Sequence, residues 1–311
     1  MTDIKTKVLI IGSGPAGYSA GIYAARANLK PIMVAGLQKG GQLTITDDVE
    51  NYPGFADAVG GPWLMQQMEQ QALNVGTQII NGMIKSVDFS SRPFKCIGDN
   101  GDTYSADTVI IATGAQAKWL GIESEKNFMG RGVSACATCD GFFFSGENVA
   151  VVGGGNSAVE EALYLAGLDC QVTLVHRRDT LRAEPILVDR LKAHKNITIE
   201  WNAGVDEIVG DDKGVKGLKL NSTTGGEDKT LSVTGVFIAI GHSPATKIFV
   251  DSGLTMDEHG YIDVIAGSPC TNIEGVYAAG DVSDKVYRQA ITAAGTGCQS
   301  ALEAQKLLEL E

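Results

Sequence analysis

Two glycine turns of one kind constrain this chain more than anything else in it. Val8-Leu9-Ile10-Ile11 runs into Gly12-Ser13-Gly14-Pro15-Ala16-Gly17, then a helical stretch over 18–28, then a second apolar strand over 31–34. The unit recurs as an apolar strand over 148–152, Gly153-Gly154-Gly155-Asn156-Ser157-Ala158, a helix over 159–166 and a strand over 171–175. In this setting the first glycine (Gly12, Gly153) permits a tight turn, and the second (Gly14, Gly155) lets backbone approach a pyrophosphate. The last small residue (Gly17, Ala158) lets helix and strand pack closely, while the helix N-terminus offers unpaired N–H groups to phosphate. One such turn is also found without a ligand. Two in proper strand and helix settings point to an α/β chain with two Rossmann-like dinucleotide-binding domains.

The two turns differ in the residues just after their second strand. After the first come Val34-Ala35-Gly36, with no acid for a ribose hydroxyl, so the adenosine end must be held otherwise. After the second come His176-Arg177-Arg178-Asp179-Thr180-Leu181-Arg182. An acid there would repel a 2′-phosphate, whereas guanidinium forks bind one bidentately, so the second turn reads as an NADP(H) site. The plain alternative is a solvated charged loop.

A length of 311 residues accommodates two domains. The net charge of −12, with no long basic run, leaves no electrostatic footprint for nucleic acid, so no nucleic-acid partner is expected. No apolar run reaches the length of a membrane span, and the first residues lead directly into a strand, so no membrane and a cytoplasmic location are expected.

Between the turns, residues 36–43 (including Gly40, Gly41, Gln42 and Leu43) and the segment from Glu50 through Asn51 to Gly54 are glycine-rich, polar loops. A helix is expected over 63–73 and a meander of short strands over 78–98. A buried strand over 107–114 stops at Ala112-Thr113-Gly114, as does another over 236–241 at Gly241; such a stop lets backbone come close to a ligand. A third runs into Gly280-Asp281, whose carboxylate suits a ligand hydroxyl or caps the next turn. The last helix is expected over 288–310, with Gln289 and Ala290 in a first turn whose partial positive charge would stabilise an anionic ring.

Cys136-Ala137-Thr138-Cys139-Asp140 reads as a redox pair, since a Cys-x-x-Cys turn closes a short disulfide and a nearby charge or helix start favours a thiolate. In the reducing compartment expected here, such a pair is transient and catalytic rather than structural. A zinc site needs two more ligands, and Cys96, Cys170, Cys270 and Cys298 are solitary, so no metal is expected.

With these residues assembled, the chain resembles the low-molecular-weight thioredoxin reductases, a family of homodimeric flavoproteins. The resemblance covers nearly the whole length. It rests on the turn at Gly12, GGQL from Gly40, ENYPG from Glu50, ATG from Ala112, CATCDG from Cys136, GGGNSA from Gly153, HRR from His176, GD at Gly280 and RQA from Arg288. Only CATCDG is specific to disulfide chemistry.

The resemblance implies an FAD domain made of residues 1–116 and 245–311, with an NADPH domain, 117–244, inserted within it. FAD would lie against Gly12 to Gly17, Gly36, Gly40 to Leu43, Asn51, Ala112 to Gly114, Gly280, Asp281 and Arg288 to Ala290. NADPH would lie against Gly153, Gly155 to Ala158, His176, Arg177, Arg178, Arg182 and Gly241. Electrons would pass from NADPH to FAD, to the Cys136–Cys139 pair, and to oxidised thioredoxin. Cys139 matches the thiol facing the flavin, Cys136 the thiol that attacks the protein substrate, and Asp140 the acid that handles the thiolate's proton; Asp140 could equally cap an Asp-Gly turn. The inserted domain is expected to rotate between half-reactions about 115–118 and 241–246. The competing readings are a dithiol oxidase of the same fold and a different protein-disulfide reductase.

Overall fold

Val8, Leu9, Ile10 and Ile11 are all buried, which a strand achieves only when both sheet faces are covered. The computed structural model describes residues 2–46 and 48–310, so the outer ends expected for the discontinuous domain, at 1 and 311, lie outside the described residues. Asp3–Ile11 is central in a parallel run ordered Gln78–Ile80, Ile32–Val34, Asp3–Ile11, Thr103–Ile111. Ile10 stands opposite Met33 on one side and Ile110 on the other. Thr103–Ile111 pairs further with Val276–Ala278 in parallel and with Phe94–Gly98 antiparallel. Alternation then divides the core. Val8 and Ile10 join Tyr18, Met33, Met65 and Ala301, contributed partly by the helices Pro15–Arg26, Gly61–Asn74 and Ala290–Glu309, whereas Leu9 and Ile11 join Phe94, Val109 and Phe249.

The segment expected as one meander, 78–98, divides in two. Gln78–Ile80 pairs in parallel with Ile32–Val34, because Gly61–Asn74 intervenes and a strand–helix–strand connection returns parallel. Only Ile84–Asp88 and Phe94–Gly98 meander into Thr103–Ile111.

The second glycine turn belongs to a five-stranded parallel sheet ordered Val133–Ser134, Gly235–Ala239, Asn148–Gly153, Gln171–His176, Ile197–Trp201. Val149, Val151, Leu174 and Phe237 pack with Leu165 and Leu191 of the helices Asn156–Gly167 and Pro185–Ala193. Ala150, Val152 and Val236 face the other way, onto Ile208 and Leu218 of an antiparallel three-stranded sheet, Ala203–Asp211, Gly214–Ser222 and Lys229–Leu231. Val133–Ser134 lies ahead of Cys136 and pairs in the parallel sheet, so the cysteine pair lies within this unit.

The chain forms two compact units. One runs to Gln116 and resumes at Ser243; the other is Ala117–His242. The crossing segments Ala115–Ala117 and His242–Pro244 pair with each other as a two-stranded ribbon. Among the described residues, no helix is long and apolar enough to cross a membrane, and no group of three His, Cys, Asp or Glu side chains is placed to hold a metal ion.

Candidate active site

The glycines of the first turn divide by what surrounds them. A Cβ on Gly12 would stand 2.2 Å from the Ala112 carbonyl oxygen, and one on Gly17 would stand 2.1 Å from that of Gly12. A Cβ on Gly14 would meet nothing within 4 Å. Gly12 and Gly17 are therefore required by the protein's own packing, whereas the space beside Gly14 is open. That space adjoins the start of Pro15–Arg26, whose N-cap is Gly14 with no capping side chain, and whose first turn carries Pro15 and Ala16 but no acid. Unpaired helix N–H groups beside an open glycine fit a pyrophosphate.

Other first-unit motifs converge here. Buried Ser13 donates to the Ala35 carbonyl at 2.7 Å and accepts from the Gly40 N–H at 3.1 Å, so it ties the loop to the turn from inside. A Cβ on Gly41 would lie 3.2 Å from the Cα of Gly14, and Gln42 and Leu43 begin a short 3₁₀ turn, Gln42–Ile45. Behind the loop is a cavity of about 130 Å³ lined by Tyr18, Gly40, Met65 and the ion-paired Lys39 and Glu69, which are 2.5 Å apart. Gly36, Gly114 and Gly280 all have positive φ, at 86°, 69° and 75°. Thr113 donates to the Ala245 carbonyl at 2.9 Å, and Gly280 approaches Ala16 so closely that a Cβ there would lie 3.1 Å from the Ala16 Cβ. Asn51 Nδ2 stands 3.5 Å from Gln289 Oε1.

The last helix starts later than expected. It spans Ala290–Glu309, and Gln289 is its N-cap, in a reciprocal capping box with Thr292, rather than a first-turn residue. Arg288 precedes it at φ 48° and hydrogen-bonds Tyr261. Asp281 sits just ahead, in the 3₁₀ turn Gly280–Val282. Burial, then the Asp284 carboxylate, push its carboxyl up to about 7, with Arg288 opposing.

The second turn repeats the division. A Cβ on Gly153 would stand 2.4 Å from the Ala239 carbonyl oxygen and 2.6 Å from the Ala158 Cβ, whereas one on Gly155 would meet nothing within 4 Å. Gly155 is the N-cap of Asn156–Gly167, again without a capping side chain, and Ser157 follows Asn156 in its first turn. Gly241 has φ 101° and open space where a Cβ would project.

Cys136 and Cys139 are bonded as a disulfide, with Cα atoms 5.3 Å apart. Cys136 is the N-cap of the single-turn helix Ala137–Asp140; its N–H donates to Ser134 Oγ at 3.0 Å, and its carbonyl accepts from the N–H groups of Cys139 and Asp140 at 3.2 and 3.1 Å. Ala137 is buried in the core of the second unit, and at Gly141 a Cβ would lie 2.9 Å from Leu165 Cδ2, so the turn is seated on Asn156–Gly167. The cysteines themselves are half-buried.

A disulfide seated on a dinucleotide fold is the arrangement of a disulfide oxidoreductase, and residues 6–297 match the family described as pyridine nucleotide-disulphide oxidoreductase. The chain belongs to that family. A thioredoxin reductase of Rickettsia conorii is 60% identical over 307 residues, covering 98% of this chain and 99% of the relative. A Pseudomonas fluorescens protein named glucosaminate ammonia-lyase is 52% identical over 317 residues, covering 99% and 98%. The solved structure of thioredoxin reductase from Giardia duodenalis has a TM-score of 0.94 at 42% identity, covering 98% of this chain and 99% of that one.

Membership of the pyridine nucleotide-disulphide oxidoreductases implies a flavin and an NADP-type nucleotide, and the two open glycines fit both. Arg177, Arg178 and Arg182 are exposed. His176, expected against the nucleotide, lies directly beneath the second glycine turn. It is buried, its Nε2–H donates to the Thr180 carbonyl at 2.9 Å, and its ring fills the space where a Cβ on Gly154 would project, at 2.1 Å. From there it shapes the turn. Gly154 is thus a requirement the fingerprint does not contain, and only the adjacency of a histidine at the end of the following strand hinted at it.

Proposed function

We propose that this chain is an NADPH-dependent, FAD-containing thioredoxin-disulfide reductase. What supports this above all is the disulfide between Cys136 and Cys139, carried on the same unit as the second glycine turn and its exposed arginines. The turn at Gly12 to Gly17, the loop at 36–43 and Asp281 would hold FAD, and the turn at Gly153 to Ala158 with Arg177, Arg178 and Arg182 would hold NADPH. A bound flavin supplies the conversion of a hydride into the electron pair that opens a disulfide.

The chain's own thiols do the rest. The Cys136 thiolate attacks one sulfur of the oxidised thioredoxin disulfide, forming a mixed disulfide and releasing the other thioredoxin sulfur as a thiolate. The Cys139 thiolate then attacks the Cys136 sulfur, which frees dithiol thioredoxin and restores the Cys136–Cys139 bond. Asp140, next to Cys139, would handle the thiol proton. Phe142 and Phe143, 63% and 47% exposed, come immediately after and offer an apolar landing for a protein partner. The pair and the nucleotide turn share one unit and the flavin elements belong to the other, so either they approach opposite faces of the flavin or the inserted unit presents them in turn. The likeness to thioredoxin reductases supports rotation, with 115–118 and 241–246 as hinges.

Cys136→Ser and Cys139→Ser should each abolish NADPH oxidation coupled to thioredoxin while the flavin stays bound and reducible by NADPH. Substantial thioredoxin turnover by either variant would remove the pair from the reaction. A crosslink joining the units should permit one half-reaction and block the cycle; full turnover by a demonstrably crosslinked protein would reject the alternation.

A further inference from the structure

Residues 177–184 leave the end of Gln171–His176, pass over the second glycine turn and enter Pro185–Ala193. Their backbone is held along both edges. On the turn side, the Arg182 N–H donates to the Gly154 carbonyl at 2.7 Å. The Glu184 N–H donates to Asn156 Oδ1 at 2.8 Å, and Asn156 Nδ2 donates back to Glu184 Oε1 at 3.1 Å. On the far side, the Arg177 carbonyl accepts from Thr223 Oγ1 at 3.1 Å, and the Arg178 carbonyl accepts from the Asn202 N–H at 3.2 Å. The guanidinium groups stand exposed on a fixed backbone, which is how a receptor limits the ordering cost of binding.

We infer that Glu184 is a positioning residue that sets the preference for a nucleotide bearing a 2′-phosphate, by locking this strap to the residue that opens the pyrophosphate-binding helix. The inference rests on the reading of Arg177, Arg178 and Arg182 as the 2′-phosphate receptor. Glu184 is the N-cap of Pro185–Ala193, yet its side chain makes no capping bond and turns back to Asn156. The sign of its effect distinguishes position from charge. A carboxylate this close to a phosphate site repels anions, so as a mere surface acid its removal would tighten every adenine nucleotide. As the lock on the strap, its removal loosens the arginines and weakens only ligands that carry the 2′-phosphate.

The test is calorimetric titration of the flavin-loaded protein with adenosine 2′,5′-bisphosphate and with adenosine 5′-monophosphate, which needs no turnover. The unaltered protein should bind the bisphosphate at least about tenfold more tightly, as charge-assisted guanidinium bonds require. Glu184→Ala should weaken the bisphosphate about fivefold and leave the monophosphate unchanged or slightly tighter. Glu184→Gln, which keeps an acceptor for Asn156, should stay within about twofold of the unaltered protein for both. Thr223→Val, at the opposite edge, should show the same selective loss as Glu184→Ala. If the unaltered protein did not distinguish the two ligands, the reading of the arginines would fall and the inference with it. If it did, and Glu184→Ala bound the bisphosphate as well as or better than the parent, the positioning role would be overturned while the receptor stood. A Thr223→Val variant with unchanged affinities would overturn the account of a strap held along both edges.

Discussion

Asp281 is a carboxylate at odds with its surroundings. Burial and the neighbouring Asp284 carboxylate raise its carboxyl to about 7, against an ordinary value of 3.8. A raised carboxyl binds its proton more tightly in the folded chain than in the unfolded one, so between these values folding is linked to proton uptake and stability falls as pH rises. In flavin-free protein, Asp281→Asn should therefore be more stable than the parent at pH 8, by about 2 kcal/mol once partial exposure is allowed for, with the gap closing on approach to pH 4. Urea unfolding across that range would reveal it; a gap that widens on acidification would reject the assignment. The type and place of this residue are legible in the sequence, since a carboxylate at the mouth of a buried strand suits a ligand hydroxyl. Its raised carboxyl is not, because the burial that mainly raises it and the Asp284 carboxylate that adds to it both depend on a turn that only the fold closes. His176 teaches the same lesson from the other side: its place beside the arginines is plain in the sequence, but its burial beneath Gly154 depends on packing between segments.

At the scale of elements, close helix approach and ligand approach make opposite demands on glycine. Gly297, in Ala290–Glu309, leaves room for the backbone of Pro15–Arg26: a Cβ there would stand 2.1 Å from the Ala16 carbonyl oxygen. Gly14 faces open space at φ −73°, a conformation any residue adopts. Gly297→Ala should therefore destabilise flavin-free protein by about 1–3 kcal/mol, as overpacking between helices does. Gly14→Ala should leave that stability within about 0.5 kcal/mol and instead cost flavin retention. Denaturant unfolding read beside flavin absorbance separates the two, and equal stability losses would show that Gly14 also serves the fold. The strands and helices around each glycine turn were legible because period and turn chemistry agree there. Gly297 was not, since its partner is a backbone atom near the other end of the chain. Nor was the parallel placement of Gln78–Ile80, which the preceding helix decides and the strand's own residues do not.

At the scale of the whole molecule, the inserted unit enters and leaves through one narrow ribbon. Ala115–Ala117 pairs with His242–Pro244; the Lys118 N–H donates to the Gly241 carbonyl at 2.9 Å, and the Ala245 N–H donates to the Gly114 carbonyl at 2.9 Å. Paired strands lie about 5 Å apart, so the ends left by excising Ala117–His242 are within reach of one or two added residues. Each unit also has its own cores: Val8, Ile10, Leu9 and Ile11 belong to the cores of the first, Val149, Val151, Ala150 and Val152 to those of the second. Ala117–His242 alone should therefore fold cooperatively and bind adenosine 2′,5′-bisphosphate without binding flavin. The remainder, with Gln116 joined to Ser243 through two glycines, should fold and bind flavin without the bisphosphate. Mixing the two should recover little thioredoxin reduction, since tethered partners meet at about millimolar effective concentration and free ones at the concentration supplied. An inserted unit that unfolds on excision, or that takes up the flavin itself, would show that the division of labour between the two units is misplaced.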